Sequence, residues 1–141
     1  MNKLYLVTGP AGVGKSTVSK LLANKLAKSV LIEGDDIYHM VISSHISPWL
    51  PGNHLDLCWD NSIVLINNFL EAGYDVVYNY IIGPDKLELL KQEFSDYEIK
   101  FVVLMVDEKT LIKRDKKRPR YCRMGKIAIE LLNNFKERWC T

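Results

Sequence analysis

The 141-residue chain predicts an α/β domain built on a mostly parallel sheet. Three observations predict it. Short apolar runs alternate with stretches of helical spacing almost without a break, the pattern of strands joined by helical crossovers. Those runs are continuously apolar, as strands covered on both faces are. The first run leads through a glycine-rich turn straight into a helix, and a helix N-terminus reached in that way attracts anions.

Taken in order, each element supports the class. Leu4-Tyr5-Leu6-Val7 is the first strand, Gly9 to Thr17 the turn, and Val18, Leu21, Leu22 and Leu26 recur on one face of the helix that follows. Val30 to Glu33 is a second strand punctuated by Gly34, and its end is expected beside the glycine turn. Ile37 to Ser43 reads as a short helix that Asp35 or Asp36 caps. Ser44 to Asn53, with two prolines and a glycine, is a loop whose Ile46, Trp49 and Leu50 either pack on the core or line a pocket. Leu55, Trp59, Ile63, Ile66 and Leu70 mark a helix ended by Gly73. Asp75 to Ile82 is a third strand stopped by Gly83-Pro84, Asp85 to Phe94 a helix, and Ile99 to Val106 a fourth strand. Glu108 to Lys117 is helical, Arg118-Pro119-Arg120 breaks the helix, and Ala128, Leu131, Leu132, Phe135 and Trp139 mark a last one.

The length suits a single domain, residues 1–141, with one core. A net charge of +2 does not make nucleic acid or membrane a bulk partner, yet nine Lys or Arg residues against the single acid Asp115 lie between Lys109 and Lys126. Cys58, Cys122 and Cys140 are odd in number and show no C-x-x-C pairing, which fits a reducing cytoplasmic setting. His39, His45 and His54 lack metal-ligand spacing and read as exposed or capping residues; His39, one turn after Asp35, is the one to test for substrate contact. No apolar stretch approaches the roughly 20 residues of a membrane span.

The chemistry is concentrated in the turn. Gly9, Gly14, Lys15 and Ser16 satisfy G-x-x-x-x-G-K-[ST], placed between a strand and a helix. In that setting the backbone from Gly9 through Ala11, Gly12, Val13 and Gly14 to Thr17 wraps a phosphate chain. Lys15 reaches its β- and γ-phosphates, and the Ser16 hydroxyl takes a place on Mg²⁺. Asp35 and Asp36 leave the second strand toward the crevice where such sheets bind ligands. One of them can take a proton from an acceptor hydroxyl or hold Mg²⁺ through water, Asp35 being favoured for the first duty and Asp36 for the second. Arg114, Arg118, Arg120 and Arg123 flank the helix break, where planar guanidinium groups can grip phosphate oxygens.

With these residues the chain resembles the small P-loop kinases: gluconate and shikimate kinases, chloramphenicol phosphotransferase, zeta-type toxins and the 5′-kinase domain of polynucleotide kinases. The resemblance runs from about Lys3 to Phe135, on Gly9 to Thr17, Glu33-Gly-Asp-Asp-Ile37, Val103 to Asp107 and Arg114-Asp-Lys-Lys-Arg118. It implies a three-layer α/β/α P-loop NTPase fold with about four to five strands and a helical, arginine-bearing lid over residues 114–125. It also implies ATP and Mg²⁺, Asp35 as base, and Arg114, Arg118 and Arg123 as cations of the lid.

Two departures stand out. Family members commonly carry an aspartate at the end of the third strand, where this chain has Asn79, and they continue into a fifth strand and a base-cradling loop, where this chain stops at Thr141. The expected activity is transfer of the γ-phosphoryl group to a hydroxyl of a small molecule. The alternatives are a polynucleotide 5′-hydroxyl as acceptor, or a nucleotide-binding module of weak activity.

Overall fold

The computed structural model describes residues 2–10, 13–105, 109, 110 and 113. Four strands, β1 (Lys3–Thr8), β2 (Ser29–Glu33), β3 (Asp75–Asn79) and β4 (Glu98–Val103), form one sheet in the order β2-β3-β1-β4, and every pairing is parallel. Helices α1 (Lys15–Lys25), α2 (Gly34–Tyr38), α3 (Leu55–Glu71) and α4 (Pro84–Glu93) lie in the connections. All four strands therefore end at the same edge, and so do the loops that follow them. The second strand is not beside the glycine turn as expected: β3 takes the place next to β1, so β2 stands one strand further out.

Alternation along β3 sorts the layers. Asn79 turns to the face covered by α1, where it meets Ser16. Tyr78, one residue back, turns to the opposite face and meets Ser62 of α3. The core is built on that second face. Leu4, Leu6, Val76 and Tyr78 from the sheet close against Trp59, Ile66 and Leu70 of α3 and Leu87, Leu90 and Phe94 at α4. Tyr78 Oη donates to Ser62 Oγ at 2.9 Å, and Ser62 Oγ donates to the Cys58 carbonyl at 2.8 Å, so the buried phenol is satisfied within the layer.

Other boundaries differ from the sequence pattern for local reasons. The short helix begins at Gly34 and ends at Tyr38, earlier than Ile37 to Ser43, with Glu33 as its N-cap residue and no side-chain capping bond; Asp35 and Asp36 lie in its first turn instead. The third strand stops at Asn79, because beyond Tyr80 the amide of Ile82 bonds the Thr8 hydroxyl at 2.7 Å in place of a ladder carbonyl. In α1 the expected apolar face is not the buried one: Ser19 is buried, while Val18 and Leu21 are exposed. Of the helix expected over Glu108 to Lys117, Lys109, Thr110 and Lys113 are described and are helical; the rest of it, the break at Arg118 to Arg120 and the last helix lie outside the described residues.

Candidate active site

The glycine turn closes on itself at the carboxyl end of β1. A side chain at Gly9 would run into the Leu104 carbonyl and sit 2.8 Å from Val13 Cγ1, so the close approach of the chain leaving β4 requires glycine there. Gly14, the N-cap of α1, has φ 96°, a left-handed conformation that glycine adopts at no steric cost. The amide of Val13 bonds the Pro10 carbonyl at 3.4 Å, and Lys15 Nζ donates to the same carbonyl at 3.1 Å, holding the ammonium over the turn. Ala11 and Gly12 lie outside the described residues; Ser16 and Thr17 are exposed in the first turn of α1.

Three strand ends are tied together beneath this turn. Tyr80 N bonds the Val7 carbonyl at 3.2 Å, Leu104 N bonds the Thr8 carbonyl at 2.8 Å, and the fully buried Thr8 hydroxyl receives Ile82 N. Asn79 thereby reaches the N-terminus of α1, where its Nδ2 donates to Ser16 Oγ at 3.2 Å. The residue singled out as a departure from the kinase pattern thus touches the serine assigned to the metal.

Sequence reasoning missed Glu33. It is the register partner of Asn79 across the β2–β3 pair, so the two side chains share the α1 face. Its Oε1 is buried with no hydrogen-bond partner. An unsatisfied buried carboxylate oxygen is costly and calls for a cation, a water or a donor. The signal was present in Glu33-Gly-Asp-Asp, but the register that brings it beside Asn79 is not local.

Asp35 and Asp36 are both exposed at the outer end of β2. Beneath Asp35 lies a polar and aromatic wall. Cys58 Sγ donates to the Gly34 carbonyl at 3.6 Å, and a side chain at Gly34 would lie 2.7 and 2.8 Å from Tyr80 Cδ1 and Cβ. Burial pushes the Cys58 thiol up, partly opposed by hydrogen bonds to Tyr80 and Ser62. Burial also holds the Tyr78 and Tyr80 phenols far above their ordinary range, with Asp35 adding to the shift. All three groups therefore stay neutral at physiological pH.

As expected, His39 and His45 are exposed, and His39 and His54 stand at the C-cap of α2 and the N-cap of α3; the histidine spacing gave no sign that the three lie together. His39, His45 and His54 gather on Tyr38. Ile46 is half-buried, and Trp49 and Leu50 are both exposed beyond it.

Mg²⁺ characteristically takes one or two protein ligands and completes its shell with phosphates and water. No group of three His, Cys, Asp or Glu side chains able to enclose a metal occurs among the described residues. The Ser16 hydroxyl held by Asn79, with the orphaned Glu33 oxygen on the same face, fits such a nucleotide-borne ion. Arg114, Arg118 and Arg123 lie outside the described residues. Among those described, no helix is long and apolar enough to cross a membrane.

Comparison with known proteins agrees with this geometry. No curated protein matches. Among solved structures, one from the Pnkp1/Rnl/Hen1 RNA repair complex superposes with a TM-score of 0.76 at 23% identity over 98% of this chain. This chain spans 46% of that one, less than half its length. A sugar kinase from Janibacter sp. HTCC2649 gives a TM-score of 0.72 at 15% identity, covering 96% of this chain and 78% of its own. A gluconokinase from Sinorhizobium meliloti 1021 gives 0.68 at 21% identity, covering 94% and 74%. A family profile described as an AAA domain matches residues 6–134. The chain therefore belongs to that AAA-domain family and has the fold of the small P-loop kinases.

Proposed function

We propose that the chain is an ATP-dependent phosphotransferase that moves the γ-phosphoryl group to a hydroxyl of a small-molecule acceptor. The observation that carries this reading is the junction of the glycine turn with the Ser16–Asn79 contact at the carboxyl edge of the sheet. Phosphoryl transfer depends on positioning and charge stabilisation more than on covalent chemistry, and this edge supplies both.

Backbone amides from Gly9 to Thr17 and the Lys15 ammonium hold the polyphosphate. Ser16, held by Asn79, and Asp36 would hold Mg²⁺, with Glu33, the register partner of Asn79, on the same face, and the ion would neutralise charge on the β- and γ-phosphates. Asp35 accepts a hydrogen bond from the acceptor hydroxyl. As the acceptor oxygen forms its bond to the γ-phosphorus and the bond to the β-phosphate oxygen breaks, Asp35 takes the hydroxyl proton and ADP leaves. Arg114, Arg118 and Arg123 supply the cations that close over the transferring group.

Release of ADP, screened against sugars, sugar acids, nucleosides and 5′-hydroxyl oligonucleotides, tests the reading. Lys15→Ala is expected to lose the heat of Mg-ATP binding, and Asp35→Asn to keep that binding while transfer falls about 100-fold or more. An Asp35→Asn enzyme as fast as the wild type would remove the assigned base.

A second reading, a polynucleotide 5′-hydroxyl as acceptor, is favoured by the likeness to the RNA-repair structure and by the nine basic residues between Lys109 and Lys126. It requires acceptor affinity that falls steeply with salt, since binding a polyanion releases counterions.

A further inference from the structure

We infer that the histidine cluster on Tyr38 is the acceptor subsite, and that it takes an uncharged hydroxyl compound carrying a flat heteroaromatic ring, as a nucleoside does. This inference rests on the kinase reading and adds the chemistry of the acceptor to it.

The cluster is a built structure. Tyr38 is fully buried, and its hydroxyl donates to the Ile46 carbonyl. His54 stacks flat on the Tyr38 ring, centroids 3.9 Å apart and planes 10° from parallel. His45 meets both rings edge-on, at 5.6 Å from Tyr38 and 5.4 Å from His54. His39 stacks on His45 at 5.0 Å. Ser44, just before His45, has φ 62°, a conformation uncommon outside glycine, and it turns the chain so that His45 comes back over Tyr38.

Hydrogen bonds fix what the rings offer. A carbonyl only accepts, so His39 Nδ1 donates to the Asp35 carbonyl at 2.8 Å and His54 Nε2 donates to the Tyr38 carbonyl at 3.1 Å. In each neutral ring the other nitrogen is then an acceptor. Packing alone would bury such a cluster, yet His39 and His45 are exposed. The exposed rings begin one helical turn from Asp35, to which His39 is bonded. The exposed His39–His45 pair, with an acceptor nitrogen on neutral His39, suits a ligand ring that stacks and donates N–H groups.

Charge narrows the class further. The nineteen residues between Asp36 and Asp56 include no Lys, Arg, Asp or Glu, in a chain of which 26% is charged. A sugar acid or sugar phosphate would find no fixed cation in this loop, and an amine no carboxylate. A metal site is not the explanation, since no metal-holding group of three occurs among the described residues.

The test compares adenosine and uridine with gluconate and a 5′-hydroxyl oligothymidylate, by ADP release and by calorimetry with and without Mg-ATP. Adenosine or uridine is expected to bind and be phosphorylated with little salt dependence. His45→Ala should raise its KM about tenfold, while His45→Phe, which restores a flat ring, should stay within about threefold of wild type. Preference for gluconate overturns the inference, as does preference for the oligonucleotide with a steep salt slope, or a His45→Ala KM equal to wild type. If His45→Ala fails to fold, the wild-type ranking of adenosine over gluconate in direct binding decides. Loss of the Mg-ATP heat itself would sink the kinase reading instead, and adenosine binding without nucleotide still tests the ring site.

Discussion

On the proposed reading, Asn79 is the residue on which the metal chemistry would turn. An aspartate there would attract a cation by charge, whereas an amide can only orient, and its one visible act is to bond Ser16. Removing it in Asn79→Ala frees the Ser16 hydroxyl to rotate. A net hydrogen bond of about 1 kcal/mol corresponds to a rise of roughly fivefold in the Mg²⁺ concentration that half-saturates ATP binding. Asn79→Asp should shift it the opposite way. Calorimetric titrations at fixed ATP and varied Mg²⁺ measure both, and equal midpoints for the three proteins would show the contact to be structural only. How much of this was legible varies by residue. Gly9, Gly14, Lys15 and Ser16 declare themselves because their geometry is contained in nine consecutive positions. Asn79 stood out at the end of the third strand, but its pairing with Glu33 could not, since what joins them is a strand register between residues 46 apart in the chain. The three histidines were read rightly as exposed or capping, but their clustering was not legible, for a similar reason. Their spacing excluded a metal motif and said nothing of the bend at Ser44 that folds them onto one tyrosine.

At the level of elements, α3 anchors the end of β3 from the core face. Its first half meets Tyr78 and Tyr80 through Trp59 and Cys58, and its second half buries Ile66 and Leu70 against the strands. Ser62 is the polar joint of that contact, receiving the Tyr78 phenol and donating to Cys58. Ser62→Ala leaves the phenol buried without its acceptor, and urea denaturation should show a loss of about 1–3 kcal/mol with an unchanged slope. A midpoint equal to wild type would mean that another group satisfies Tyr78. The periodicity of α3 was readable because its buried face is apolar apart from Ser62. That of α1 misled, because its apolar residues Val18 and Leu21 face outward while the small Ser19 is the one that fits against the sheet.

Among the described residues the large apolar cluster lies on the α3 and α4 face, and the proposed ligand edge lies at the carboxyl end of the strands. A ligand bound at that edge bridges α1, the end of β3 and the turn after β1, so it should stiffen parts that the core does not directly clamp. Mass action sets the size of the effect. Mg-ATP at 100 times its dissociation constant adds about 2.7 kcal/mol, which for a domain of this size is a rise in Tm of roughly 10 °C. Differential scanning calorimetry checks this, and Lys15→Ala should flatten the response; an unshifted wild-type Tm at saturating Mg-ATP would contradict the assigned turn. The order of the strands was the part of the architecture that the sequence pattern misplaced. Alternating strand and helix specify parallel crossovers, but which slot β3 enters depends on contacts made across the whole sheet.

Thr8 offers a last consequence. Its carbonyl holds Leu104 and its hydroxyl holds Ile82, both at the rim where the nucleotide is proposed to sit. A single threonine beside the glycine turn is thus the knot through which the exits of β3 and β4 are laced. The amide proton of Ile82 can trade with solvent only when that knot loosens, which makes one buried hydrogen a witness to whether the rim is at rest or engaged.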